Sequence, residues 1–289
     1  MRNSKLTPVI LLLPLMAVTL TVIIACVNVL LQSIGYVLAF GLTKITLGYY
    51  REVFKRPEFL SALWVSLRIA FVSTLLAAAL GTLLCAALVK RRAGGGMLYT
   101  VRFPILVPHT VVALLIMTLL GQTGIVARAA YGLGLISDYT KFPPILFTPG
   151  YGGAIAGYLW KEIPFVAYYT LALMASVSNT LGEAAENLGA SPLRSFFSVA
   201  LPMSLPAVSK AALIIFIYAF GGYELPALLG STLPKALPVQ AYITYLSPDL
   251  LQRPLAMAMF GVILMLSVLM AALYSIGIRR LIKRLGGEA

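Results

Sequence analysis

The sequence predicts an all-α integral membrane protein of six transmembrane helices, a single domain over residues 1–289 with both termini in the cytoplasm. Three observations carry that expectation. Hydrophobic residues make up 60% of the chain and charged residues only 11%, whereas a soluble domain carries roughly 25% charged residues. Six apolar stretches reach the roughly 20 residues a helix needs to cross a bilayer. The basic residues behind the formal net charge of +13 are spread between the apolar blocks. That spread fits a positive-inside topology and argues against a nucleic-acid partner, which would meet a concentrated basic patch.

The spans fall at residues 8–31, 60–89, 104–120, 152–177, 206–229 and 255–278. Pro14, Pro108, Pro164 and Pro226 interrupt four of them. Membranes tolerate such breaks where neighbouring helices satisfy the freed backbone groups. Arg2 and Lys5 resemble the start of a signal peptide, but the apolar run behind them exceeds the roughly 7–15 residues of its core. The first span is therefore expected to be retained. Orientation follows from the connections. Arg2, Lys5, Lys90, Arg91, Arg92, Arg102, Arg194, Lys210, Arg279, Arg280, Lys283 and Arg284 fall on one side and outnumber the basic residues of the other. That side is cytoplasmic by the positive-inside rule. Cys26 and Cys85 lie within apolar segments and indicate no disulfide framework.

Catalytic chemistry is not evident. No G-x-x-x-x-G-K-[ST] loop, G-x-S-x-G elbow or H-E-x-x-H helix occurs, so neither nucleotide binding nor hydrolysis is expected in this chain. Gly94, Gly95 and Gly96 read as a flexible turn. The single histidine, His109 beside Pro108, lacks neighbouring ligands and reads as structural. No metal or cofactor site is expected.

Ionisable residues within spans are costly and therefore informative. Arg68 lies early in the second span, where its side chain can snorkel to the interface. Lys161 and Glu162 sit midway along the fourth, just before Pro164, and suit either ion pairs with other helices or a lining role in a pathway. Glu224 follows Gly221, Gly222 and Tyr223 and precedes Pro226 in the fifth span. This composition predicts an irregular helix of the kind that borders a cavity in transporters. Gly153 and Gly157 have the spacing of a close helix contact, and Trp64 and Tyr151 suit interfacial anchoring.

Residues 179–205 are too polar for lipid, yet they are patterned. Leu181, Ala184, Ala185 and Leu188 form one helical stripe, with Thr180 and Glu183 as a capping box at its start. Gly189 suits a left-handed helix end. Ser191 and Pro192 open a second helix, striped by Leu193, Phe196, Phe197 and Ala200 and expected to stop at Pro202. Two amphipathic helices joined at a glycine elbow need an apolar surface to rest on.

The same stretch resembles the signature EAA-x3-G-x9-I-x-LP of the membrane subunits of bacterial binding-protein-dependent ABC importers. Glu183, Ala184, Ala185, Gly189, Leu201 and Pro202 match it, and Val199 replaces the isoleucine. The resemblance implies a multi-pass permease of the bacterial inner membrane, in which this loop is a coupling helix docking on a separate dimeric ATPase. Glu183, Ala184, Ala185, Gly189, Leu201 and Pro202, with Leu193 and Phe196 of the second stripe, become the docking residues. ATP and magnesium would be held by that partner, and this chain would be no enzyme. A second permease subunit, identical or homologous, and an external substrate-binding protein are the other implied partners. Residues 220–230 further resemble the fifth-span pattern of spermidine/putrescine permeases, parts of which iron and thiamine permeases share. Tyr223 and Glu224 of that stretch, with Lys161 and Glu162 of the fourth span, are the pathway candidates, and the resemblance implies a small solute such as a polyamine as cargo. A stand-alone secondary transporter driven through Lys161, Glu162 or Glu224 is the rival reading; it leaves the signature unexplained.

Overall fold

The computed structural model describes residues 6–284 and is built of helices; among the described residues the only β contact is an isolated bridge between Val37 and Leu42. Five helical stretches are long and apolar enough to cross a membrane: Leu11–Ser33, Pro57–Lys90, His109–Gly132, Pro192–Gly221 and Leu250–Gly277. The chain divides into two compact units, one from Met1–Leu60 and Gln240–Leu266, the other from Ser61–Val239 and Ser267–Ala289.

In the first unit, α1 (Leu6–Ser33) turns nearly all of its resolved apolar side chains outward, as a helix sheathed by lipid does. Its end is fastened by Tyr50 of the short α2 (Gly48–Lys55), whose hydroxyl donates to Ser33 Oγ at 2.8 Å.

The second unit is organised around α7 (Gly152–Val177). Ala77 of α3 (Pro57–Lys90), Val166 of α7, and Ala211 and Ile215 of α10 (Leu201–Gly221) form one buried cluster. Cys85 and Leu88 meet Ala167 and Met174 in another. The fourth expected span is thus a 26-residue helix of spanning length, roughly 39 Å at 1.5 Å per residue, but it is less apolar than the other five. Its position explains that composition. A helix that meets protein on most sides can carry Glu162 and Thr170, both buried, where a lipid-facing helix cannot. Gly157 packs on Leu225, as a close helix contact requires.

The third expected span is divided. α4 (Gly95–Leu106) ends at Val107, Pro108 is extended, and α5 (His109–Leu120) begins anew before a turn leads into α6 (Ile125–Gly132). Pro108 explains the break, because proline disfavours helical geometry in the residue before it. Gly95 and Gly96 belong to α4 itself, with Gly94 as its extended N-cap, so they start a helix where a flexible turn was expected. In the connection from α6 to α7, the Thr140 backbone N–H and hydroxyl hold the Asp138 carboxyl below the usual carboxylate range. Arg68 of α3 donates to the carbonyl of Pro149 just ahead of α7, and Tyr151 donates to Pro234 O at 2.8 Å.

Candidate functional site

Two places concentrate the expected functional residues. The first is the turn between α7 and α10. α7 runs without interruption through one wide turn, residues 178–182, into α8 (Glu183–Asn187). The capping box therefore does not form: Thr180 Oγ1 donates back to Ser176 O at 2.8 Å, and no free helix start exists for it to cap. At the other end the local chemistry is as expected. Gly189 adopts φ +93°, its N–H reaches Glu186 O at 2.9 Å, and Ala190 N–H reaches Ala185 O at 3.0 Å. That pair of bonds is a Schellman closure, and a side chain at residue 189 would strain it.

The returning arm begins with Ser191, whose hydroxyl accepts the Arg194 N–H at 3.3 Å, and with Pro192 in the first turn of α9 (Pro192–Ser195). A second wide turn, residues 196–200, carries this arm directly into α10. Pro202 does not stop the helix. It occupies the first turn of α10, behind a loosened turn in which its missing N–H and its ring are accommodated. Ser195 Oγ donates to Gly182 O at 3.1 Å in a buried bond that clasps the two arms together.

The tip presents apolar side chains outward. Leu188 is 90% exposed, Leu193 68% and Phe197 55%. Glu183, Ala184, Gly189 and Pro202 are exposed, whereas Ala185, Phe196 and Leu201 are half-buried. Phe196 packs edge-on against Phe197. Glu183 lies 3.6 Å from Arg92 of the α3–α4 turn, both side chains well exposed.

The second place lies where two broken helices face each other. α10 ends at Gly221, Gly222 is extended, and α11 (Glu224–Leu229) follows, giving the irregularity expected around Glu224. Tyr158 of α7, almost wholly buried, inserts against this break: a Cβ on residue 222 would lie 2.1 Å from its hydroxyl, so only glycine fits there. At the other break, the Lys161 ammonium donates to the carbonyl of Val107, occupying an acceptor that Pro108 leaves without a helical partner.

His109, the first residue after that break, joins the two. Its Nδ1 lies 3.1 Å from Tyr218 Oη and 3.7 Å from Glu224 Oε2. His109, Tyr158, Tyr218, Tyr223 and Glu224 line a cavity of about 510 Å³. Glu224 is 49% exposed there and His109 13%. One carboxylate, one imidazole and three phenols thus line the cavity, with Glu224 the more open of the ion pair and Tyr158 buried in its wall.

Of the pathway candidates, Glu224 and Tyr223 border the cavity, whereas Lys161 is engaged at the α4–α5 break. Glu162 is 6% exposed, and neither carboxylate oxygen has a hydrogen-bond partner. His109, Tyr158 and Tyr218 were not singled out as functional from sequence. The available signal was the adjacency of His109 to Pro108 and of Tyr218 to the Gly221–Gly222 pair; Tyr158 carried none. Among the described residues no group of three His, Cys, Asp or Glu side chains comes together as a metal site would need.

A family model described as the binding-protein-dependent transport system inner membrane component matches residues 4–285. The chain belongs to that family. This inner membrane component resembles the molybdenum transport system permease protein ModB of Haemophilus influenzae, at 24% identity over 78% of this chain and 96% of the relative. It also resembles the putrescine transport system permease protein PotI of Escherichia coli K12, at 26% identity over 58% of this chain and 55% of that one. Among solved structures, a bacterial ABC transporter that imports the acidic polysaccharide alginate superposes with a TM-score of 0.71 at 21% identity, covering 93% of this chain and 96% of its own. The same kind of transporter bound to its periplasmic protein gives 0.73 at 19% identity, covering 96% and 98%. These likenesses establish the permease fold, and the named cargoes differ from one relative to the next.

Proposed function

We propose that this permease couples to its ATPase through the tip formed by α8, Gly189 and α9, and passes cargo beside Glu224. The observation that carries the coupling reading is the rigid tip itself. Two helical arms, clasped by Ser195 and closed by Gly189, hold Leu188, Leu193 and Phe197 out in water, where they gain nothing unless a partner covers them. Glu183, Ala184, Ala185, Leu201 and Pro202 complete the docking surface. The ATPase, a dimer, holds ATP and magnesium; this chain hydrolyses nothing. Its other partners are a second permease subunit and an external binding protein that delivers the cargo, in keeping with the family's description.

In this reading α7 is the fourth span and completes a set of six, and both termini and the coupling tip face the cytoplasm, as the basic residues of the α3–α4 turn and the tail favour. Cargo passes the cavity between the two helix breaks, where Glu224 and Tyr223 meet it and Lys161 and Glu162 stand behind. A half-exposed carboxylate among tyrosines favours a small cationic solute of polyamine type. Gly189→Asp tests the coupling reading. The variant should reach the membrane at normal levels yet lose ATPase co-purification and uptake; undiminished co-purification and uptake would overturn it.

A further inference from the structure

A second polar feature lies on α4, which contributes no residue to that cavity's lining. Arg102 stands on α4 beside α7, and its guanidinium carbon sits 4.3 Å over the ring of Tyr168 and 5.9 Å from that of Tyr99. Arg102 takes no part in the ion pairs Arg56–Glu52, Arg92–Glu183 and His109–Glu224. Its Nε is buried without a hydrogen-bond partner. Ring faces ease the burial of a guanidinium, but they supply neither a counter-charge nor acceptors in the plane of its donors. Beside it opens a cavity of about 460 Å³, walled by Phe165, Tyr168, Tyr169 and Leu171.

Three placements identify what fits. Arg102 is seven residues into α4, roughly 10 Å along the axis at 1.5 Å per residue from the basic α3–α4 turn. Tyr99, Phe103 and Leu106 share one stripe of the helix that carries Arg102 and are 72%, 62% and 80% exposed, so α4 presents an apolar outer face. Lys90, Arg91 and Arg92 precede α4 at the same end, adding the juxtamembrane positive charge that attracts anionic lipid. A free anion would meet the guanidinium but leave the aromatic and aliphatic walls unused.

We propose that this cavity binds an anionic phospholipid. The Arg102 guanidinium takes a phosphate oxygen of the headgroup through its in-plane donors, and the acyl chains lie along Tyr99, Phe103 and Leu106. The inference needs only a membrane-spanning chain and stands apart from the coupling and cargo readings. It is tested by native mass spectrometry of the full-length chain in detergent, titrated with phosphatidylglycerol or phosphatidylcholine. R102Q should lower retention of one phosphatidylglycerol by roughly tenfold, the loss of one charged headgroup contact, and leave phosphatidylcholine unchanged. R102K, which keeps the charge without the planar fork, should fall between. On the wild-type chain, short-chain phosphatidylglycerol should displace the bound lipid and millimolar inorganic phosphate should not. Equal phosphatidylglycerol retention in R102Q would overturn the proposal. So would displacement by inorganic phosphate alone, which assigns the cavity to a free anion. Loss of permease self-association with lipid retention unchanged would do the same, since it assigns Arg102 to a protein partner.

Discussion

Gly222 and Tyr158 show how tightly a single atom constrains the broken end of α10. A methyl group on residue 222 would collide with the Tyr158 hydroxyl, and Tyr158 is almost wholly buried and cannot step aside. Gly222→Ala should therefore lower stability by about 1–3 kcal/mol, the usual cost of overpacking. Removing the hydroxyl with Tyr158→Phe should recover part of that loss in the double variant, read as thermal unfolding in detergent. Glu162 poses the opposite case. Its buried carboxylate oxygens accept no hydrogen bond, so Glu162→Leu should raise stability by about 1–3 kcal/mol in the same assay. At this scale the sequence was informative where one residue's own geometry decides the outcome. Gly189 and Ser191–Pro192 take the conformations their chemistry prefers. His109 read alone as a structural histidine, because its partners Tyr218 and Glu224 lie more than a hundred positions away and meet it only once both helices have broken.

Among the elements, α7, α8, α9 and α10 form two arms rather than four pieces. The wide turns at 178–182 and 196–200 replace the start and stop expected at Thr180 and Pro202. Local signals of that kind compete with tertiary packing, and here the packing of α7 against α3 and α10 favours helices that continue. The tie between the arms is then the Ser195 hydroxyl on Gly182 O. Ser195→Ala should leave membrane levels intact but weaken ATPase co-purification several-fold, because the loss of a buried hydrogen bond, about 0.5–1.5 kcal/mol, loosens the angle between the arms. Unchanged co-purification would show that the angle is fixed elsewhere. The division of the third expected span follows from Pro108, which was visible in the sequence. What was not visible is that Lys161 would supply the freed carbonyl with a donor.

For the whole molecule, the membrane class follows from composition, since so few charges in so long a chain leave no soluble alternative, and the helical architecture from the length of the apolar stretches. The central place of α7 does not. Its mixed composition reads as a weaker span, and only the assembled bundle shows that α7 buries side chains along its whole length, whereas nearly all described side chains of α1 stay outward. The proposed topology makes a direct prediction. In a chain freed of Cys26 and Cys85, Leu188→Cys should react with a membrane-impermeant maleimide only from the cytoplasmic side, and Leu133→Cys only from the opposite side. Both positions are well exposed, so lack of access does not confound the result. Labelling of both from one side would reverse or refute the assignment.

The absence of a joint between α7 and α8 has a mechanical consequence. A helix is stiff along its axis, and this one runs from Gly152 past the Lys161–Val107 bond to Asn187 as one continuous helical arm that carries Pro164 and one widened turn on the way. A sideways push on Leu188 is therefore applied to one end of a rod whose middle bears on the α4–α5 break. Displacement at the tip becomes rotation about the packed centre. Compliance is left to Pro164, the widened turn, the glycine elbow and the two broken helices, the places at which the backbone has already given up its regular bonds.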